Sequence, residues 1–514
     1  VTGVRRALRI ASAGATLWLA LVQPLAAGFE RIPVDHWCYP ALERFESLGL
    51  CSVPESRPLG RVEIAALVYG LEARAGSADL SARDRWQLDR LVREFTATTD
   101  PRERWDRQLY AEDGRLALEA DFDLTPYVEQ APFNDEVEAY VASDPTLKVH
   151  IGDHITYDLR YHLLFGPEHG DRARQHKPSR REKSFKGLTS LYERSYAVGV
   201  WDPVEVLVGR DHVDWGPGGG LIVPGDGYSI DQIGFRLRFK SLRLDAFYGQ
   251  LFTDPERYMV GHRLEGRFGD TVVGLSETVV YGGRPLDWLY LFPLSWYYAN
   301  QYNERTNEDN ILWSVDAKTV LMDRVTLFAN LLLDDIQFER EDGYPDKIAF
   351  DVGARWVPAR PLGLSVGATY RFVDLYTYSH HDSLSIYVSG GAELDRGDVL
   401  LGGLPGPDSD EWRADVSLYP RPNLALDLGA LGRRVGEGND LRAFDLGIDS
   451  RDPDFPSGIV EETTAVIVGL RWELEGDRHV SLAWAHAQVD NRGHVAGADD
   501  SDDSFRLEIR WDIP

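Results

Sequence analysis

Residues 209–220 read GRDHVDWGPGGG and follow a strand-like run, VEVLV, at 204–208. Arginine, aspartate, tryptophan and glycine crowded into one short stretch could cradle a phosphate, hold a catalytic acid or grip a sugar. The phosphate cradle fails on spacing. Counting from Gly216 and Gly218 places Leu221 where a dinucleotide fingerprint needs its third glycine, no Gly-Lys-Ser/Thr follows, and DQIGFRLRF beyond it alternates like a strand instead of opening a helix. A sugar site suits the residue types better: Trp215 can stack on a pyranose face while Arg210, Asp211 and Asp214 hydrogen-bond hydroxyls or a uronate. Trp296, Tyr297, Tyr298 and Tyr302 offer a second aromatic platform or an aromatic membrane girdle. The basic run DRARQHKPSRREK, 171–183, could hold an anionic polymer by charge or could be a solvated loop. Catalysis has less to stand on. Asp334 and Asp335 are strand neighbours that point to opposite faces, so they cannot act on one substrate as an acid/base pair. His380, His381 and Asp382 are too clustered and unsupported to make a metal site, and no G-x-S-x-G elbow is present. The expectation is a protein that is not an enzyme and uses neither cofactor nor metal, with a lipid-modifying hydrolase as the enzymatic alternative.

The chain has 514 residues and a formal net charge of −28, which argues against nucleic-acid partners. Its two cysteines, Cys38 and Cys51, suit an envelope protein that does not depend on a disulfide framework. If a helix separates them they lie roughly 15–20 Å apart at 1.5 Å per residue, beyond disulfide reach, so free thiols are expected. Residues 1–27 combine a basic start, VRRALR, an apolar run and small residues near Ala27, the pattern of a secretory signal peptide; a membrane anchor is the alternative.

Two regions must position these residues, and they differ in period. From 35 to about 95 the pattern is helical. Ala41, Leu42, Phe45 and Leu48 share a face that ends at Gly49; Val62, Ala65, Val68 and Tyr69 make a second stripe; Ser81 caps a third helix buried through Leu88, Leu91, Val92 and Phe95. The stretch DHWCYPALERFESLGL followed by GRVEIAALV resembles one surface-layer-homology unit, a module that grips cell-wall polymers, with Arg61 and Glu63 keeping its arginine-x-glutamate and Gly60 and Val62 replacing its usual threonine and alanine. That resemblance implies cell-wall contact through Trp37, Arg61 and Glu63, with peptidoglycan as a partner; a purely structural helical plug is the other reading.

From Arg115 the period is two. In GFRLRF, Phe235, Leu237 and Phe239 oppose Arg236 and Arg238; in the last segment Phe505, Leu507, Ile509 and Trp511 oppose Arg506, Glu508 and Arg510. One apolar and one charged face repeated over some 400 residues cannot form a sandwich core, whereas lipid outside and a polar lumen inside explain both. Eighteen segments are expected as strands, among them 115–124, 146–151, 204–210, 232–239 and 505–511. Long connections such as 166–189, 211–231, 282–309, 375–410 and 432–462 alternate with short turns such as 202–203, 240–241 and 269–270, as external loops and periplasmic turns do. The fold expected is mainly β: an 18-stranded antiparallel outer-membrane barrel over 108–514, preceded by a small periplasmic helical domain at 28–107.

This parity places the opening stretch on the outer side, where it either meets a glycan or folds inward to narrow the lumen. GRDHVDWGPGGGLIVPGD, SETVVYGGRPLDWLYLFPLSWYYANQYNE and ANLLLDDIQF together resemble the Wzi-type capsule assembly family. The resemblance implies an outer-membrane barrel with a periplasmic helical bundle, a lectin that attaches capsular polysaccharide to the cell surface; outer-membrane lipid, and lipopolysaccharide phosphates held by the basic run 171–183, are the other partners expected, and the protein is expected to be a monomer. A peptidoglycan-tethered solute porin is the alternative of a different class.

Overall fold

A computed structural model describes residues 28–513 except 97–107, 113–115, 134–135, 167–183, 186, 224, 305–308, 322–323, 336–343, 359–362, 391–398 and 451–452. The proposed signal peptide and the basic run 171–183 lie outside the described residues.

The period-two region closes into an 18-stranded antiparallel barrel. Its strands are β1 (Leu116–Gln130), β2 (in two parts, Glu138–Ser143 and Thr146–Ile151), β3 (Ile155–Phe165), β4 (Leu188–Trp201), β5 (Val204–Trp215), β6 (Gly225–Phe239), β7 (Leu242–Thr253), β8 (Glu256–Phe268) and β9 (Thr271–Gly282). The second half comprises β10 (Asn310–Leu321), β11 (Val325–Asp335), β12 (Lys347–Trp356), β13 (Gly363–Val373), β14 (Ser409–Arg421), β15 (Leu424–Val435), β16 (Glu461–Glu473), β17 (His479–Asp490) and β18 (Asp500–Ile513). Each pairs with its sequence neighbour, and β18 closes on β1 with Leu507 opposite Val128. Full closure leaves no strand edge unpaired, the condition for a sheet to stand in hydrocarbon.

The two faces part as the alternation requires. On β10, Leu312, Ser314 and Asp316 are buried inward while Val315 points out and is exposed. Outward Val208, Ile233, Leu264, Leu275, Leu428, Leu482 and Leu507 continue this exposed apolar belt around the wall. Several strands run past the limits read from sequence: β1 reaches Gln130, β5 reaches Trp215, β6 begins at Gly225 and β18 at Asp500. Above the lipid belt both faces of a strand tolerate polar residues, so the polarity contrast that marks a strand in sequence fades while its hydrogen-bond ladder continues.

Among the described residues three helices precede the barrel: α1 (Cys38–Ser47), α2 (Arg61–Ala75) and α3 (Ala82–Phe95). Gly49 after α1 takes φ +72, the left-handed conformation that ends helices, and Ser81 caps α3 by accepting from the Asp84 amide. The stripe read on α2 is rotated. Ile64, Ala65, Val68 and Leu71 are buried, whereas Val62 and Tyr69 are exposed, because the face of α2 bearing Arg61 is drawn inward by buried carboxylates.

The helices sit at the short-turn end and are tied to the inner wall by ion pairs. Arg83 spans both oxygens of Glu473 at 2.8 and 3.0 Å, Glu43 pairs with Arg355 at 2.7 Å, and Arg31 with Glu205 at 2.7 Å. Lys318 on β10 bridges Glu46, at 2.6 Å, and Glu55, and donates to the Val53 carbonyl. Cys38 and Cys51 are free. Cys38 is buried and the Cys51 thiol donates to the Leu42 carbonyl at 3.4 Å; burial pushes both thiols up. Maleimide should therefore modify both cysteines only after denaturation, and rapid modification of the native protein, read by mass spectrometry, would mean that this helical core opens.

Candidate functional site

β5 carries the opening stretch, and its alternation sends successive residues to opposite sides. Arg210 points outward and donates to both oxygens of Asp231, at 2.6 and 2.9 Å. Asp211 points inward, fully buried, and accepts from Arg194 at 2.8 Å. The last two residues leave the wall. Asp214 and Trp215 pair with Arg57 and Ser56, a short strand between α1 and α2, and the Gly216 amide donates to the Glu55 carbonyl at 2.9 Å. Trp215 is 3% exposed, packs on Phe247 at 5.3 Å between ring centres, and offers no face to a sugar. The four residues read as a polysaccharide site are thus not brought together.

The glycines explain the inward turn. Gly216 and Gly220 take φ +89 and +69, and a Cβ on Gly220 would lie 2.9 Å from the Val223 carbonyl. The loop that results lays Leu221, Ile222 and Val223, all buried, across the lumen. The β13–β14 loop folds down to meet it. Tyr378 donates to the Leu221 carbonyl at 2.7 Å, Tyr387 to the Ile222 carbonyl at 2.6 Å, and Arg257 on β8 donates to the carbonyls of Leu384 and Val388. Burial, with the Asp334 carboxylate adding to it, pushes Tyr378 and Tyr387 upward, so both hydroxyls stay protonated donors. Helical domain, inward loop and β13–β14 loop therefore stack as three cross-tied layers inside the barrel. This is the inward-folding alternative for GRDHVDWGPGGG. It was hard to select from sequence because an inward loop and an exposed one share the same glycines and aromatics.

The residues of the surface-layer-like unit are also engaged within the molecule. Arg61 donates to Glu30 at 2.6 Å and to the Glu94 carbonyl at 2.9 Å. Glu63 faces Arg243 at 3.0 Å and Arg236 and Arg238 at 3.4 Å. Burial would raise the Glu63 carboxyl, but these three guanidiniums outweigh it and hold it at about 2. Trp37 lies under the Arg90 guanidinium, 3.8 Å from its ring centre.

Asp334 points inward and accepts from the Tyr378 amide at 2.5 Å, anchoring the same loop. His380 and His381 pack at 4.3 Å between ring centres with their planes tilted by 32°, and Asp382 caps the turn Ser383–Ser385 by accepting from the Leu384 amide. Burial lowers His380 to about 4, which keeps it neutral at physiological pH. Among the described residues no group of three or more His, Cys, Asp or Glu is arranged to hold a metal ion.

At the long-loop end the structure assembles a site that sequence reasoning missed. Phe444 packs between Tyr344, at 5.8 Å, and Tyr376, at 5.3 Å. Beside it Arg442 donates to both oxygens of Asp449, at 2.8 Å each, which holds that carboxyl below the usual range; the Asp445 amide donates to it as well. Tyr344 is 49% exposed. A half-exposed aromatic ring beside fixed charges can stack on a sugar ring and hydrogen-bond its hydroxyls. Its members come from three loops about 30–100 residues apart with no shared motif, so no signal in the sequence joins them.

No family model matches the chain, and no curated protein sequence matches it. Among solved structures, OprD of Pseudomonas aeruginosa aligns with TM-score 0.46 and 10% identity over 77% of this chain and 95% of its own. OccAB1 of Acinetobacter baumannii aligns at 0.45 and 9% over 78% and 98%. Both scores are too low to carry an argument. Wzi, described as an outer-membrane protein involved in group 1 capsule assembly in Escherichia coli and as a carbohydrate-binding β-barrel, aligns with TM-score 0.59 and 13% identity over 94% of this chain and 99% of its own. The chain is thus similar in fold to Wzi along nearly its whole length, helices and barrel together.

Proposed function

We propose that this protein is an outer-membrane barrel that binds surface polysaccharide and holds it at the cell face, acting by binding alone, as a monomer, with its helical domain on the periplasmic side. The observation that carries the reading is the lumen itself, crossed by three layers whose contacts are buried and mutually tied. A barrel built to pass solutes has no use for such a stopper, whereas a barrel built to present a surface gains rigidity from it. The fold shared with a carbohydrate-binding barrel supports the same reading, and capsule attachment is the role we propose. On this reading Tyr344, Phe444, Arg442 and Asp449 contact the glycan, and the helices serve as a plug because Arg61 and Glu63 are engaged within the molecule.

Purified protein titrated with an oligosaccharide cut from the producing cell's own surface polysaccharide tests this. Tyr344→Ala is expected to weaken binding by about 2–10-fold, the worth of one aromatic stacking contact. Wild-type protein that does not bind the fragment would remove the glycan reading.

One observation favours the porin alternative. The inner wall at β16 and β17 carries small residues, Ala465, Ala483 and Ala485, and inward Ile467 is 41% exposed, so the described residues leave a strip of lumen uncovered there. Steady conductance of the intact protein in planar bilayers would decide for the porin.

A further inference from the structure

The segment that follows β9, residues 283–304, does not rise from the barrel rim. It folds back over the outside of the wall. Along β9, Glu277, Val279 and Tyr281 point outward, yet all three are buried. What covers them is a short helix, α4 (Trp288–Leu291), and a longer one, α5 (Tyr297–Glu304). Buried Tyr290 packs on Tyr281 at 5.5 Å, and Tyr297 on outward His262 of β8 at 4.5 Å.

The polar groups of this cover face the barrel. Glu277 accepts from the Tyr297 and Tyr298 amides at 3.0 Å each and from the Trp313 indole at 2.8 Å, with His262 3.3 Å away. Arg284 donates to both oxygens of Asp309, at 2.7 and 2.6 Å, and Tyr290 donates to the same carboxylate at 2.7 Å, which ties the start of the segment to the residue preceding β10. The opposite side is apolar. Trp288, Phe292, Leu294, Trp296 and Tyr298 are each more than half exposed, and no charged residue occurs between Asp287 and Glu304.

Polar inside and apolar outside inverts the order of a loop in water. A bare carboxylate on the outer face of a membrane barrel is strongly disfavoured, because hydrocarbon supplies no hydrogen-bond partner. Here it is roofed, and the roof replaces the apolar surface it hides. That surface is continuous with the belt beneath it, where Leu264, Leu275 and Val315 of β8, β9 and β10 are exposed on the same outward faces. Two exposed tryptophans mark the depth at which indole rings settle, the boundary between head groups and chains.

We propose that residues 283–304 form an in-plane anchor immersed in the outer leaflet, with Trp288, Phe292, Leu294 and Trp296 packed among lipid acyl chains. The inference rests on the barrel spanning a membrane and is independent of its binding a glycan. The full-length protein in phosphatidylcholine vesicles carrying a diazirine-acyl phosphatidylcholine, irradiated and mapped by peptide mass spectrometry, tests it. Labelling at 288–298 is expected within about threefold of that on the wall peptides holding Leu264, Leu275 and Val315, since both would lie in the same acyl layer. A labelled wall with 288–298 unlabelled overturns the anchor and leaves the membrane barrel standing. An unlabelled wall overturns both. Cross-linking of two copies through 288–298, lost together with dimer mass in Trp288→Ser/Phe292→Ser/Trp296→Ser, would replace lipid by a second copy and likewise overturn it.

Discussion

Lys318→Met is expected to unfasten the helical domain from the barrel at neutral pH and to let it refasten in mild acid. Lys318 supplies the positive charge between Glu46 and Glu55, whose side chains are buried with it. Replacing it with methionine keeps the volume and leaves Glu46 with only the Val53 amide, at 2.8 Å, and Glu55 with only the Arg57 guanidinium, 3.7 Å away, among the contacts that offset their charge. Removing one partner of a buried ion pair costs about 3–5 kcal/mol, or roughly 150–5000-fold in an opening equilibrium. The pH dependence follows from the sign. Burial already raises the Glu46 carboxyl, with Lys318 pulling it down. Without the lysine it rises further, and a carboxyl raised above its unfolded value destabilises the folded state when ionised. Stability lost at pH 7 should therefore return as the pH falls through that raised value. Amide exchange in α1 and α2, corrected for intrinsic rates, should be faster in the variant at pH 7 and approach wild type as the pH is lowered. Equal protection of the two proteins at pH 7 would show that the lysine does not fasten the plug.

Trp215→Ala and Arg210→Ala, five residues apart on β5, should differ sharply. Trp215 lies in the cluster that joins the inward loop to Phe247, Leu221 and Tyr378. Truncating a buried tryptophan costs about 3–5 kcal/mol through lost contacts and a residual cavity. The closed wall does not depend on it, so the loss should appear as protease access to the inward loop and as raised conductance, with SDS-resistant migration of the barrel retained. Arg210 pairs with Asp231 on the outward face, the side chains 19% and 40% exposed, and solvent-accessible pairs contribute about 0–1 kcal/mol. Its alanine variant should behave as wild type in both measurements. Loss of oligosaccharide affinity in Trp215→Ala with conductance and protease resistance unchanged would contradict the buried placement and return the tryptophan to the sugar site.

These contrasts mark how far the sequence reaches. Period-two alternation with arginine on one face and leucine on the other identified a lipid-exposed barrel, because every strand meets the same two solvents and repeats the same contrast. Counting the alternating segments yielded the strand number, and loop-length parity agreed with it, since a meander ties each strand to its neighbour in sequence. The helical region was legible from its 3.6-residue period and its caps. Tertiary structure decided what fills the lumen and what covers the outer wall. GRDHVDWGPGGG turns inward because Ser56 and Arg57, some 160 residues earlier, pair with its end and Tyr378 and Tyr387, another 160 later, close over it. Glu277 faces outward yet is buried because a loop roofs it. The assembly of Tyr344, Phe444 and Arg442 belongs to the same class of fact. Local pattern records which solvent a strand face meets; which distant loop replaces that solvent depends on contacts between segments that carry no mark of one another in the sequence.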